Sequence, residues 1–113
     1  MIITDEKLIE LGFKKYNTYN NLYDAKKYLF QKRYMNDEGD TLYFLDIYKW
    51  DWSFANDKVP EQYTYQITTQ LYQKGTHEAI NIEFGVGMTV EDTEKFIAGM
   101  FEAGMVEPYE LAQ

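Results

Sequence analysis

The chain has 113 residues, a length typical of one domain built on a single hydrophobic core. Its 19 acidic and 11 basic side chains give a net charge of −8, which disfavours direct binding to nucleic acid, because phosphate contacts supply most non-specific affinity. The absence of Cys excludes disulfides, thiolate metal sites and cysteine nucleophiles. We therefore expect residues 1–113 to form one domain without a nucleic-acid partner.

The N-terminal segment predicts a short helix over residues 5–11. Thr4 can cap its start, and Gly12 is placed to end it, with Phe13 making the apolar contact that accompanies such a stop. The same segment has acids where a secretion signal has bases, and no apolar run approaches the ~20 residues of a membrane span. These features predict a cytoplasmic protein with no membrane partner.

The next segment predicts a loop that leads into a long hairpin. Residues 13–16 can begin a short strand, whereas residues 17–24 are rich in Asn and Tyr and are typical of a loop. Residues 28–52 predict two long strands joined by a polar turn over residues 36–40, in which Gly39 can adopt a positive φ.

Both faces of this hairpin carry large apolar side chains. One parity of the second strand holds Tyr43, Leu45 and Ile47, and the other holds Phe44, Tyr48 and Trp50 around Asp46. Two interpretations are open for the second set: it packs against loops or another copy, or it forms an aromatic recognition face. We expect Asp46 to face solvent or to pair with a base on the neighbouring strand, such as Lys32 or Arg33.

Two further strands are predicted after a connection over residues 51–61, whose Trp52 and Phe54 are expected to pack back onto the sheet. Residues 62–73 alternate strictly between apolar and polar side chains, which is typical of an antiparallel strand with one wet face. Residues 78–84 form the partner strand, after a turn over residues 74–76.

The last helix is predicted to start at Thr89, with Asp92 at capping-box spacing, and to stop at Gly104. An apolar stripe over residues 96–101 faces the sheet, and Gly99 is expected to allow a close approach to it. Residues 105–113 form a polar tail whose apolar side chains can dock.

These elements predict an α+β fold: a four-stranded antiparallel meander sheet with a short N-terminal helix and a C-terminal helix packed on one face. A fifth short strand near residues 13–16 is possible. The helix-free face is expected to mix Gln and Thr side chains with the aromatic residues of the second set, namely Gln66, Thr68, Gln70, Phe44, Tyr48 and Trp50.

No pattern in the sequence indicates catalysis, a metal site or a cofactor. The one His, His77, lies in a predicted turn and reads as a surface residue. The acids of residues 36–40 lack the spacing of a calcium loop, and the GVGM of residues 85–88 lacks the remaining residues of a phosphate loop. We therefore expect a protein that is not an enzyme and needs no cofactor.

Three segments carry a resemblance to other proteins: LIELGFKKY at 8–16, YLFQKRYMNDEGDTLYFLDIYKWDWS at 28–53, and the YTYQITTQLY strand before an acidic helix. In their hydrophobic pattern and turn chemistry they resemble small uncharacterised proteins from phages and prophages of Gram-positive bacteria. The resemblance implies a non-enzymatic accessory role in the host cytoplasm.

Three functional hypotheses follow. The first is a protein-interaction module that binds a host or phage protein, with a homodimer as a further possibility. The second is an acidic inhibitor of a nucleic-acid-handling enzyme, of an anti-defence type. The third is a sugar or small-ligand domain that uses Tyr48, Trp50 and Trp52. The expected interaction surface comprises Phe44, Asp46, Tyr48, Trp50, Trp52, Glu91, Asp92 and Glu94.

Overall fold

The computed structural model describes residues 3–20, 25–51, 63–76, 78–85 and 87–112. Trp52, Phe54 and His77 lie outside these ranges, as does the second residue of the GVGM segment. Within them the chain forms α1 (Asp5–Glu10), β1 (Lys14–Asn20), β2 (Ala25–Met35), β3 (Thr41–Asp51), β4 (Tyr63–Gln73), β5 (Ala79–Phe84), α2 (Val90–Glu102), β6 (Val106–Glu107) and α3 (Tyr109–Ala112).

The strands form one antiparallel sheet in the order β1-β2-β3-β4-β5, and the two-residue β6 pairs with the end of β4. The predicted α+β class with an antiparallel sheet is therefore confirmed, but four strands was too few. β1 continues to Asn20, through residues that the composition had assigned to a loop, because each of its residues is paired with β2. Pairing to a neighbouring strand thus outweighs the weak strand propensity of Asn.

The β2–β3 hairpin turns where the sequence predicts it. The side-chain oxygen of Asn36 accepts hydrogen bonds from the backbone N–H groups of Glu38 and Asp40, and Gly39 has a φ of +85°. The register then shifts: Tyr34 pairs with Tyr43, whereas the next residue of β2 pairs with Thr41. Between these two pairs β3 has one residue more than β2, which is a β-bulge. Because of the bulge, Thr41 lies on the face of the sheet opposite to Tyr43.

The hydrophobic core lies between one face of the sheet and the helices α1 and α2, and we call this face the closed face. Phe30, Ile47 and Ile67 stand opposite one another on three adjacent strands and are buried. Leu8 of α1 and Ile97 of α2 are buried against the same cluster. The parity that carries Tyr43, Leu45 and Ile47 therefore forms the core.

Both longer helices begin and end with the predicted chemistry. The Thr4 hydroxyl accepts from the backbone of Lys7, and Thr89 and Asp92 form a capping box. Each helix ends in a glycine of positive φ, Gly12 in α1 and Gly104 in α2, and the backbone bonds around each glycine are those of a Schellman motif. The ends of both helices are therefore set by local sequence.

Two expectations about the helices are wrong. Gly99 does not approach the sheet: a Cβ placed there would meet no atom within 4 Å. The opposite face is also not free of helices: α1 and α2 pack on one face as predicted, but α3 packs on the other. Tyr109 of α3 contacts the rings of Phe44 and Tyr72, both of which alternate with core residues and so point away from the core.

Candidate functional site

The face of the sheet opposite α1 and α2, which we call the open face, is built from the residues that alternate with the core. Cross-strand pairing aligns Leu29, Tyr48 and Gln66 in one row, and Gln31, Asp46 and Thr68 in the next. These six side chains are all partly exposed. The open face is therefore a continuous surface in which aromatic and aliphatic groups alternate with amides and a hydroxyl.

One end of the open face is covered by α3. Tyr109 meets Phe44 edge-on, with a centroid distance of 5.7 Å, and meets Tyr72 at 5.3 Å. This contact makes Phe44 part of the internal packing between α3 and the sheet. The other two members of the predicted aromatic set, Tyr48 and Trp50, lie further along β3 and are half-buried. Tyr16, which was not predicted for this face, lies at the sheet edge and is 42 % exposed.

A polar network holds α3 in this position. The carboxylate of Glu110 accepts a hydrogen bond from the hydroxyl of Thr41 at 2.8 Å. It also forms an ion pair with the guanidinium of Arg33 at 3.0 Å. Arg33 also donates to the Thr41 hydroxyl, which is buried and which the β3 bulge turned to this face. No local pattern in the sequence predicts this network, because Glu110 lies 69 positions from Thr41 and 77 from Arg33.

Asp46 pairs with an amide and not with either base that the sequence suggested. The amide of Gln31, directly opposite on β2, donates to its carboxylate at 2.9 Å. Lys32 points to the closed face, where it lies 4.0 Å from Glu94, and Arg33 binds Glu110 instead. Burial raises the pKa of Asp46, and the hydrogen bond from Gln31 offsets only part of this shift.

The acidic residues predicted for the same surface lie on the other side of the sheet. Asp92 belongs to the capping box of α2, and Glu91 pairs with Lys95 at 3.2 Å on the helix surface. Glu94 accepts a hydrogen bond from the Tyr34 hydroxyl at 2.9 Å. Burial and this contact with Glu94 raise the pKa of Tyr34. The structure therefore does not bring these acids together with Tyr48 and Trp50, and Trp52 lies outside the described residues.

Acidic side chains gather at the end of the sheet where the β2–β3 and β4–β5 turns lie. α3 is bonded to Thr41 at this end, and the backbone of Met105 accepts from Lys74. We call this region the acidic end, and its carboxylates are Asp37, Glu38, Asp40, Glu78, Glu102, Glu107 and Glu110. The bases among its described residues are Arg33, already paired with Glu110, and Lys74. Seven of the fifteen acids of residues 36–113 thus lie at this end of the sheet.

An open groove lies on the closed side of the sheet, between β5 and the chain that leaves α2. Its volume is about 440 Å³. Its apolar walls come from Ile80, Met100 and Val106, together with the exposed Met105. Sequence periodicity could not reveal this groove, because it requires the turn at Gly104 to carry Met105 back beside β5.

Among the described residues, no three His, Cys, Asp or Glu side chains come together as a potential metal site. No helix within the described ranges has the length and apolar character needed to cross a membrane.

In comparisons with known proteins, no family model, curated protein or solved structure matches this chain.

Proposed function

We propose that this chain is a small, non-catalytic protein-binding domain, and that the open face around Tyr48 and Trp50 is its binding surface. The observation that carries this proposal is the partly exposed aromatic and amide surface left beyond α3. α3 covers Phe44, but Leu29, Gln31 and Gln66 remain partly exposed alongside the two aromatic residues.

The chemistry of this surface suits a protein partner. Tyr and Trp are enriched at protein–protein interfaces because one end of the side chain is apolar and the other can form a hydrogen bond. The neighbouring Gln and Thr side chains can both donate and accept hydrogen bonds without adding charge. The net charge of −8 argues against a nucleic acid as the partner.

The resemblance to phage and prophage accessory proteins suggests which partner this domain binds. We propose that the partner is a host or phage protein in the bacterial cytoplasm. The aromatic rows of the open face then provide the contact, and the chain itself carries out no reaction.

The experiment compares three immobilised proteins in lysate of the bacterium that carries the gene: the wild type, a Tyr48→Ser/Trp50→Ser double variant, and a Phe96→Ser control. Phe96 is an exposed aromatic residue of α2, on the other side of the sheet. A protein retained by the wild type is identified, purified and titrated against all three by calorimetry.

We expect a stoichiometric complex with the wild type and with Phe96→Ser, and a loss of affinity of at least about 100-fold in the double variant, as for interface hot spots. The double variant should remain folded. If it instead loses more than about 4 kcal/mol of stability, as buried aromatic residues do on truncation, Tyr48 and Trp50 belong to the core and the proposal fails.

The acidic end favours a second candidate, an acidic inhibitor that occupies the basic groove of a nucleic-acid-handling enzyme. The concentration of carboxylates around the two turns is the observation that supports it.

Such a complex should weaken steeply with added salt, because exposed charges are screened beyond about 8 Å at physiological ionic strength. Changing Asp37, Glu38 and Asp40 together to Asn or Gln should weaken it, whereas Tyr48→Ser/Trp50→Ser should not. Binding that is insensitive to salt would exclude this candidate.

A further inference from the structure

The outer edge of β5 presents backbone groups that no described strand pairs. The backbone N–H of Gln73 donates to the carbonyl of Glu78, in the same register that pairs Leu71 with Ile80 and Thr69 with Ile82. Hydrogen-bonded and non-hydrogen-bonded pairs alternate in an antiparallel ladder. The even-numbered residues of β5 therefore bond to β4, and Ala79, Asn81 and Glu83 direct their N–H and C=O groups outward.

This edge also lacks several of the features that usually prevent edge pairing, although it carries one charged side chain, Glu83, which accepts a hydrogen bond from Gln66 of β4 at 2.6 Å. The strand reads AINIEF, with no Lys, no Pro and no register shift against β4. The other edge strand, β1, reads KKYNTYN and begins with two lysines. β5 is thus the edge of this sheet that is better suited to accept another strand.

Exposed apolar side chains accompany the β5 edge on the closed side. Ile80 is 36 % exposed, and Phe96 of α2, which meets Phe84 edge-on at 5.7 Å, is 51 % exposed. Met105, at the groove beside Ile80, is 57 % exposed. A strand added to β5 would cover these groups as well as the backbone edge.

We propose that two copies of this chain associate through β5, antiparallel about a two-fold axis that passes between the two Ile82 residues. In this register each Ile80 faces Phe84 of the second copy, and each Asn81 faces Glu83 of the second copy. The outward backbone groups of residues 81 and 83 then pair with each other across the contact.

The pairing register of β5 with itself favours a second copy of this chain as the strand that pairs with the β5 edge. A two-fold axis at residue 83 would place Glu83 opposite itself, and like charges directly opposite are destabilising. An axis at residue 81 would place Phe84 opposite Glu78, which lies just before the strand, and so would pair an apolar ring with a carboxylate. With the axis at residue 82, apolar residues face apolar residues, and each Glu83 faces an amide donor. The strand is therefore complementary to itself.

The contact is small and forms between two acidic chains, so we expect association in the micromolar range, well below the affinity of standard interfaces of about 1,600 Å². Because each copy carries a net charge of −8, the dimer should tighten as salt is added. This salt dependence is opposite to that expected for a basic partner. The proposal involves a different surface from the open face and does not rest on the proposed function.

The first test is Asn81→Pro, measured by sedimentation velocity and light scattering up to about 500 µM chain, well above a micromolar dissociation constant. Proline removes an outward N–H that the dimer uses but that β4 does not, so the fold should tolerate it. We expect a wild-type dimer and at least about a tenfold weaker association in the variant, since two hydrogen bonds are lost across the axis. Asn81→Ala, which keeps the N–H, is the control and should still dimerise.

The second test fixes the register and does not depend on whether proline is tolerated. Asn81→Glu places two acids opposite each other on both sides of the axis and should weaken the dimer. Asn81→Glu/Glu83→Lys restores opposite charges at the same positions and should recover it. Thermal unfolding of each variant checks that the monomer is unchanged.

Three results would overturn the proposal. The first is a wild-type monomer at the highest concentration. The second is a dimer that persists in both Asn81→Pro and Asn81→Glu but is lost in Tyr48→Ser/Trp50→Ser, which would place the contact on the open face. The third is a monomeric chain whose binding to another protein is lost in Asn81→Pro, which would show that β5 takes a strand from that protein.

Discussion

Both faces of the sheet carry large aromatic and aliphatic side chains, but α1 and α2 cover only the closed face. There Phe30, Leu45 and Ile47 are fully buried. On the open face Tyr48 and its neighbours are only half-buried, and the short α3 covers one end. Strand alternation assigns each side chain to a face, whereas coverage decides whether that face is core or surface.

Consecutive residues of β3 provide the sharpest way to test this difference. Ile47→Ala should cost about 3 kcal/mol of unfolding free energy, because Ile47 is completely buried between Phe30 and Ile67. Tyr48→Ala, one residue further and on the open face, should cost less than about 1.5 kcal/mol. Urea denaturation with a common m-value measures both. Equal losses would show that the two faces are equally buried.

The ion pairs of α1 with the sheet allow a test of how much a charge at the border of the closed face contributes to stability. Lys49, whose side chain is 12 % exposed, lies 2.6 Å from Asp5, and Lys15 approaches Asp5 at 3.1 Å. Asp5→Asn should cost about 1–2 kcal/mol, because it removes the carboxylate from a largely buried cation. Glu6→Gln removes an exposed acid from the same helix turn and should cost less than about 0.5 kcal/mol.

The same pair predicts a dependence on pH. Burial alone would raise the pKa of Asp5, but the hydrogen bonds and charges of Lys49 and Lys15 outweigh it, so this pKa lies below its ordinary value. The stability that Asp5 contributes should therefore be present at neutral pH and be lost as pH falls through the lowered pKa. In Asp5→Asn this contribution should be missing from an acid titration of stability. A variant whose titration matches that of the wild type would contradict this assignment.

Asp46 should behave in the opposite way on the open face. Because burial raises its pKa, the charged carboxylate opposes folding at neutral pH, and this cost is relieved as pH falls through the raised pKa. We expect Asp46→Asn, which can keep the hydrogen bond with Gln31, to stabilise the protein by up to about 1 kcal/mol at pH 7. The gain should shrink as the pH falls through the raised pKa of Asp46. A loss of stability at pH 7 would show that the charge itself is favourable there.

The smallest expected effect concerns the outer side of α2, the helix that closes the core. Gly99→Ala should stabilise the protein by about 0.5–1 kcal/mol, since the site is open and Ala is the better helix former. Gly104→Ala is the matched control: Gly104 has a φ of +73°, so the same change should destabilise by about 1 kcal/mol. Melting temperatures of the two variants should therefore move in opposite directions.

Local signals in the sequence predicted much of this fold. Thr4, Thr89 and Gly12 mark helix ends through hydrogen bonds to residues at most a few positions away. The polar turn after β2 and the alternation of β4 depend equally on neighbouring residues. The sequence also predicted which face of β3 forms the core, because side chains alternate between the two faces and the face that carries Asp46 was expected to be the exposed one.

The tertiary structure alone decided the remaining features. The length of β1, the amide partner of Asp46 and the separation of Glu91, Asp92 and Glu94 from Tyr48 depend on register between strands or on which face a helix covers. The position of α3 depends on contacts such as Arg33 with Glu110, 77 positions apart. Composition and periodicity report what a residue prefers within one or two turns of chain. They carry no information about which distant segment will lie opposite it, and that pairing determines which surface of this protein is left open.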